Sequence, residues 1–215
     1  MLYFVQMNKY KKTRCTTVFL TDVRMLEDEE VFSRLFLTVN PERQRDIDSK
    51  GFDEEKVLSL AGGLLLDALL EHWGIAAEVE HDLQGKPVVK GCPDVFVSLS
   101  HSYPYAAAVI AVQPCGIDLE SHDRDFGTIA KRFYSQKERE YAKEDPIKMA
   151  QIWCRKECII KYERPQDVRN IDTFDIPEHY GYRSFPLEGF SFEVLIPKGA
   201  CDYMEIDFSK GRGRK

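Results

Sequence analysis

Three carboxylates and a lysine carry most of the chemistry that this sequence offers. Asp118 and Glu120 sit two residues apart in the run 116–120, GIDLE, and Glu157 and Lys161 sit four apart in 153–161, WCRKECIIK. Read as a strand, the first run puts Ile117 and Leu119 on one face and both carboxylates on the other. Read as a helix, the second puts Trp153, Glu157 and Lys161 on a single face, each one turn beyond the last. Neighbouring carboxylates repel, so the pair needs a cation, a shared proton or open water. With Glu157 added, the set becomes three hard oxygen ligands without a histidine or cysteine partner. Such donors suit Mg²⁺, completed by water and substrate phosphate. The plainer alternative for Glu157 and Lys161 is a surface ion pair contributing about 0.3–0.5 kcal/mol. The helix is apolar on several faces, which leaves little reason for a solvated stripe.

Elements on both sides have to position these groups. Residues 2–6 and 16–20 read as strands joined by a basic turn at 9–14, followed by a short helical stretch with Val31, Leu35 and Phe36. Pro41 suits the first turn of a helix, and Asp53 the N-cap of the longest one. The apolar stripe of that long helix includes Val57, Leu60, Leu64, Leu65 and Leu69. Gly62 and Gly63 in its middle lower helix propensity by roughly 1 kcal/mol each, so close packing is expected to compensate. A strand at 76–80 and a turn at 84–87 lead to apolar runs at 95–97 and 106–112, separated by the polar stretch 98–102. After Glu120, helices are expected near 128–133, from the capping box Ser135 to Glu138, and from Pro146 to a stop at Pro165. Residues 169–183 read as loop. Alternation over 190–196 and again over 204–208, with a turn at Lys198-Gly199, reads as a strand pair. The expected fold is α+β, in two similar-sized halves forming a pseudo-dimer with the site in the cleft between them. The halves span 1–114 and 115–215, with a basic tail at 210–215.

Composition excludes some classes. At 215 residues with 43% hydrophobic and 31% charged content, the chain suits a globular protein, and a net charge of −6 gives no basic footprint for nucleic acid. No apolar run approaches the roughly 20 residues of a membrane span, and no signal-peptide pattern opens the chain. Six scattered cysteines lack the spacing of a zinc site and read as reduced thiols, so a cytoplasmic protein is expected.

Gly116, Ile117, Asp118 and Glu120, followed by Trp153, Lys156, Glu157 and Lys161, resemble the paired signature of 4′-phosphopantetheinyl transferases of the surfactin-synthetase-activating (Sfp) type. That signature reads G-[IV]-D-x-E, then W-x-x-K-E-[AS]-x-x-K. Two further landmarks precede it in the right order, G-K-P at Gly85-Lys86-Pro87 and S-H-S at Ser100-His101-Ser102. The resemblance covers residues 85–161 and extends loosely to Pro41-Glu42-Arg43. It implies transfer of the phosphopantetheine arm of coenzyme A to a serine of an acyl or peptidyl carrier protein, with release of 3′,5′-ADP, by a monomer that needs neither nucleic acid nor membrane. It implies Asp118, Glu120 and Glu157 as Mg²⁺ ligands, Glu157 also as general base, and Lys161 as a charge partner of the phosphates. Lys86 and Ser100 are implied at the pyrophosphate, and Arg43 and His101 at the 3′-phosphate. Trp153 is assigned to the core, and Lys156 faces away from Glu157. The chain departs from the family at Val57-Leu58-Ser59, where members often carry a base for the 3′-phosphate. It departs again after Lys161, where Tyr162-Glu163-Arg164-Pro165 replaces a glycine-containing loop.

Two other readings remain open. One is a non-catalytic binder of coenzyme A or carrier protein, which has no need of a general base. The other is a Mg²⁺-dependent phosphodiester hydrolase, which leaves the S-H-S and G-K-P elements unexplained.

Overall fold

The computed structural model describes residues 15–163, 169 and 171–210. The expected strand at 2–6, the basic turn at 9–14, the stop at Pro165 and the tail after residue 210 lie outside the described residues. The first strand, β1 (Thr16–Asp22), runs into a 3₁₀ turn (Val23–Glu27) and three helices: α1 (Glu29–Phe36), α2 (Pro41–Asp48) and α3 (Asp53–His72). A short hairpin, β2 (Val79–His81) with β3 (Pro87–Val89), precedes β4 (Phe96–Ser102), β5 (Tyr105–Ala111) and β6 (Gly116–Ser121). Then come α4 (Gly127–Phe133), α5 (Gln136–Ala142) and the long α6 (Pro146–Glu163), followed by β7 (Tyr180–Ser184), β8 (Phe190–Pro197) and β9 (Cys201–Glu205).

Two sheets stack between two long helices. One sheet has the order β4-β5-β1-β9 and the other β6-β8-β7. Along β5, Ala106, Ala108 and Ile110 point into a core built with α3 residues such as Leu60, Leu64 and Leu65. The intervening Ala107, Val109 and Ala111 point the other way, into a core shared with Ile117 and Leu119 of β6 and Phe192, Val194 and Ile196 of β8. The two-residue period of each strand thus feeds two layers at once. The opposite face of the second sheet is covered by α6 through Cys158, Ile159 and Leu195. The fold is α+β, as the sequence reading expected.

Several local expectations hold. Gly62 marks close packing, since a β-carbon there would stand 2.8 Å from Leu99 of β4, whereas one on Gly63 would meet Arg43 at an ordinary contact distance of 3.4 Å. The Ser135–Glu138 capping box forms at the start of α5. Other expectations change. Asp53 is the first residue of α3 rather than its N-cap; Phe52 takes that place without a side-chain bond, and Asp53, Glu54 and Glu55 face the helix dipole instead. Tyr180–Ser184, read as loop, forms an edge strand antiparallel to β8. The expected pair of last strands does not form, because β8 has β6 on one side and β7 on the other and so no open edge. β9 instead lies parallel to β1, Thr16 opposite Cys201 and Leu20 opposite Glu205. A segment from beyond residue 115 therefore completes the first sheet, and a division at 114/115 in sequence is not a clean division in space.

Candidate active site

The site lies where β6 is covered by α6. Ile117 and Leu119 are buried between the sheets, which leaves Asp118 and Glu120 on the face toward α6. Gly116 permits the helix to come close: a β-carbon there would stand 2.0 Å from the carbonyl oxygen of Cys158. Only glycine allows that approach, and the approach sets Glu157 and Lys161 against the strand carboxylates.

Asp118 is 4% exposed. Its Oδ1 accepts hydrogen bonds from Ser100 Oγ at 2.6 Å and Lys161 Nζ at 2.8 Å. Its Oδ2 is buried without a hydrogen-bond partner. Lys161 Nζ also donates to the Ile117 carbonyl at 2.9 Å. Burial works against the Lys161 ammonium, but the charge and hydrogen bond of Asp118 outweigh it and hold the pKa above the ordinary lysine value. Glu120 pairs with Arg124 and accepts a bond from Trp153 Nε1 at 3.1 Å. Burial, and then the charge of Asp118, push the Glu120 carboxyl upward despite those two donors. Glu157 is also pushed up, first by burial and then by Asp118, with Lys161 opposing. Both carboxyls therefore take a proton more readily than a solvated glutamate, as groups held close to a like charge must.

Of the residues that the sequence nominated, Ser100, Asp118, Glu120, Glu157 and Lys161 come together here. Lys86 reaches the same region, but its Nζ donates to the backbone carbonyl of Lys161 at 2.6 Å. His101 reaches the surface at the end of β4, and partial burial followed by the Lys161 charge holds its pKa below 6.5. Arg43 lies across Gly63 of α3, and its charge is felt at His81. Lys156 is fully buried away from the site, with Nζ 2.8 Å from Glu138 and 2.5 Å from the Ile171 carbonyl.

Sequence reasoning missed three participants. Trp153 packs against the Ala130, Tyr134 and Ile152 cluster, as its assignment to the core expected, but its Nε1 also donates to Glu120; its place one turn before Glu157 was the available signal. Arg124 stands four residues after Glu120, but the pair spans the end of β6 and the loop beyond it rather than a helix, so the spacing gave no signal. Lys50, at the end of α2, contributes to the electrostatic surroundings of His101 while pairing with Asp46 at 3.2 Å.

Among the described residues, no three His, Cys, Asp or Glu side chains are drawn tightly enough to enclose a metal ion. The donor chemistry nevertheless suits a hard divalent ion. The groups are carboxylates, and the buried Asp118 Oδ2 lacks a hydrogen-bond partner, an oxygen that a cation would satisfy.

A buried acidic strand, a covering helix that supplies a further carboxylate and an ammonium, and a serine from the other sheet form a charged cluster whose groups suit a hard cation and an anionic phosphate. Residues 114–187 match the model of the 4′-phosphopantetheinyl transferase superfamily. The chain is 27% identical over 165 residues to 4′-phosphopantetheinyl transferase Sfp of Bacillus subtilis (strain 168), covering 73% of each chain. It is 26% identical over 165 residues to 4′-phosphopantetheinyl transferase ffp of Bacillus subtilis, again covering 73% of each. A further Bacillus subtilis 4′-phosphopantetheinyl transferase is 25% identical over 152 residues, covering 66% of this chain and 68% of the relative. The chain is thus similar to 4′-phosphopantetheinyl transferases, in the family model over residues 114–187 and in these relatives over two thirds to three quarters of its length. Among the described residues, no helix is long and apolar enough to cross a membrane.

Proposed function

We propose that this protein transfers the 4′-phosphopantetheine arm of coenzyme A to a serine hydroxyl of an acyl or peptidyl carrier protein and releases 3′,5′-ADP. The observation that carries the reading is the meeting of Asp118, Glu120, Glu157 and Lys161 at the β6–α6 contact in a chain similar to these transferases. In the transfer, the serine oxygen bonds to the phosphorus of the pantetheine-bearing phosphate. The bond from that phosphorus to the bridging oxygen of the pyrophosphate breaks. The electron pair leaves with 3′,5′-ADP.

Glu157 accepts the serine proton, directly or through water; its raised pKa suits a base that must hold a proton after the step. Asp118, Glu120 and Glu157 are the residues that would hold Mg²⁺, which when bound neutralises charge on the phosphates. Lys161 fixes Asp118 through Oδ1 and brings a permanent positive charge to the pyrophosphate. Ser100 holds the same carboxylate oxygen, so Oδ2 keeps one orientation. Trp153 and Arg124 restrain Glu120. Arg43 and His101 are assigned to the 3′-phosphate. Our reading also takes the protein as a cytoplasmic monomer that meets its carrier transiently.

The test is incubation with apo carrier proteins of fatty-acid, polyketide and peptide synthetases, coenzyme A and Mg²⁺, followed by intact-mass analysis. A carrier heavier by one phosphopantetheine, with 3′,5′-ADP formed in equal amount, is the expected result. Binding of coenzyme A with no carrier modified would favour the non-catalytic binder, and 3′,5′-ADP formed without modified carrier would favour the hydrolase.

A further inference from the structure

The last four carbonyls of an α-helix have no partner within the helix. In α6, Lys161 lies in that final turn, and its carbonyl accepts a bond from Lys86 Nζ at 2.6 Å. Lys86 follows Gly85 in the turn between β2 and β3, 75 residues earlier in the chain. Its half-buried side chain places a cation at the negative end of the α6 dipole, the favourable end for one. The Lys86 charge also bears on the buried thiol of Cys115, just before β6, so the ammonium stands near the junction of α6 with the start of β6.

The residue whose carbonyl is held in this way is the one whose side chain matters. From that backbone position, Lys161 Nζ reaches the Ile117 carbonyl at 2.9 Å and Asp118 Oδ1 at 2.8 Å. A chain of contacts thus runs from the hairpin, through the end of α6, to the buried carboxylate, with Ser100 closing it from β4. We infer that Lys86 is a positioning residue, a helix cap supplied by the β2–β3 hairpin that sets where the Lys161 ammonium stands against Asp118. This inference rests on the transferase reading for its kinetic consequence but not for its structural one. It differs from a direct contact to substrate pyrophosphate, the role that family resemblance implies for Lys86. Lysine has three N–H donors, so one spent on the carbonyl leaves the helix end fixed whether or not an anion is present.

The two roles separate in Lys86→Met, with Lys86→Gln as a shorter polar replacement that also fails to span to the carbonyl. A thermal melt first establishes that each variant is folded. In the substrate-free protein, hydrogen exchange of the amides of Ile160 to Glu163 is expected to quicken about tenfold or more, while β4 and β5 are unchanged. In the transfer assay, kcat is expected to fall at least tenfold with KM for coenzyme A within threefold of wild type. Lys86→Arg, which keeps a long donor, is expected to recover both. A KM rise with kcat retained would make Lys86 a substrate contact, and unchanged exchange at the end of α6 would remove the cap. Either result overturns the inference. A wild-type protein that modifies no carrier would sink the transferase reading instead, and the exchange comparison would still decide the cap.

Discussion

Lys161 Nζ and Asp118 Oδ1 are 2.8 Å apart, joining the last turn of a helix to the middle of a strand. The carboxylate is 6% exposed at its side chain and the lysine 26%. The pair therefore stands mostly out of water, where removing one partner leaves the other with an uncompensated charge. The second oxygen of Asp118 is the buried acceptor without a bond. Asp118→Asn keeps the shape, removes the charge that holds Lys161, and removes a hard ligand. Transfer is expected to fall by about a thousandfold or more, roughly 4 kcal/mol of lost transition-state stabilisation. Mg²⁺ is expected to raise the Tm of the wild-type protein and not that of the variant. Equal Tm shifts would take Asp118 out of the metal site.

Glu157 gives a pH prediction whose sign follows from its environment. Burial and Asp118 raise its pKa, so the carboxyl stays protonated to a higher pH than a free glutamate near 4.3. A general base works only when ionised. The acid limb of log kcat/KM is therefore expected to fall with unit slope, centred at a higher pH than a solvated glutamate would give. Glu157→Gln is expected to abolish transfer while coenzyme A binding, read by calorimetry, largely survives. Loss of both together would remove the base assignment and leave Glu157 only a structural or metal-holding role.

The buried pair of Lys156 and Glu138 predicts stability rather than chemistry. Both side chains are 0% exposed, and Glu138 also accepts from the Ser135 and Thr173 amides at 2.7 and 2.9 Å. Lys156→Met leaves a buried carboxylate without its cation and is expected to cost about 3–5 kcal/mol in chemical denaturation. A cost under about 1 kcal/mol would place the pair in water.

Gly116 ties fold to site. Alanine there would put its β-carbon 2.0 Å from the Cys158 carbonyl, backbone against backbone, which no rotamer change relieves. Overpacking of this kind costs about 1–3 kcal/mol or more. Gly116→Ala is expected to lower Tm and to lose activity out of proportion, because α6 must move off β6 and carry Glu157 and Lys161 with it. An active variant of ordinary Tm would show that the helix has room.

The sequence made the heart of the site legible because spacing there is local. Asp118 and Glu120 alternate with Ile117 and Leu119 on a strand, and Glu157 and Lys161 are one helical turn apart, so each pair declared its face. What stayed hidden was contact between distant segments. Ser100 on Asp118, Lys86 on the Lys161 carbonyl and Glu138 on Lys156 join residues separated by 18, 75 and 18 positions, and no periodicity encodes them. Strand partnership was hidden for the same reason: the alternation around Met204 reveals a strand but not that its neighbour is β1. Tyr180–Ser184 was missed because Gly181 interrupts a run of only five residues.

Donor recognition is the last prediction, and it turns on Leu58 and His101. Leu58 is 7% exposed in the core of α3, so the position where family members often carry a base provides none. His101 is pushed below 6.5 by partial burial and by Lys161, so it is mostly neutral at pH 7 and gains its charge only as pH falls below that value. A charge-assisted contact to phosphate contributes roughly 1.5–3 kcal/mol; at neutral pH His101 supplies little of it, which leaves Arg43 alone among the assigned contacts. Dephospho-coenzyme A is therefore expected to serve within about tenfold of coenzyme A at pH 7.5, a gap of roughly 1.4 kcal/mol. The preference for coenzyme A is expected to widen toward pH 6 as the imidazole is protonated, and Lys161 opposes that protonation until a phosphate offsets it. Comparing kcat/KM for both donors at the two pH values measures this, with His101→Gln expected to flatten the pH dependence. A thousandfold preference that does not change with pH would rest recognition on a permanent cation, either Arg43 or the Lys50 whose charge bears on His101. Comparing Arg43→Met with Lys50→Met would then show which of the two carries it.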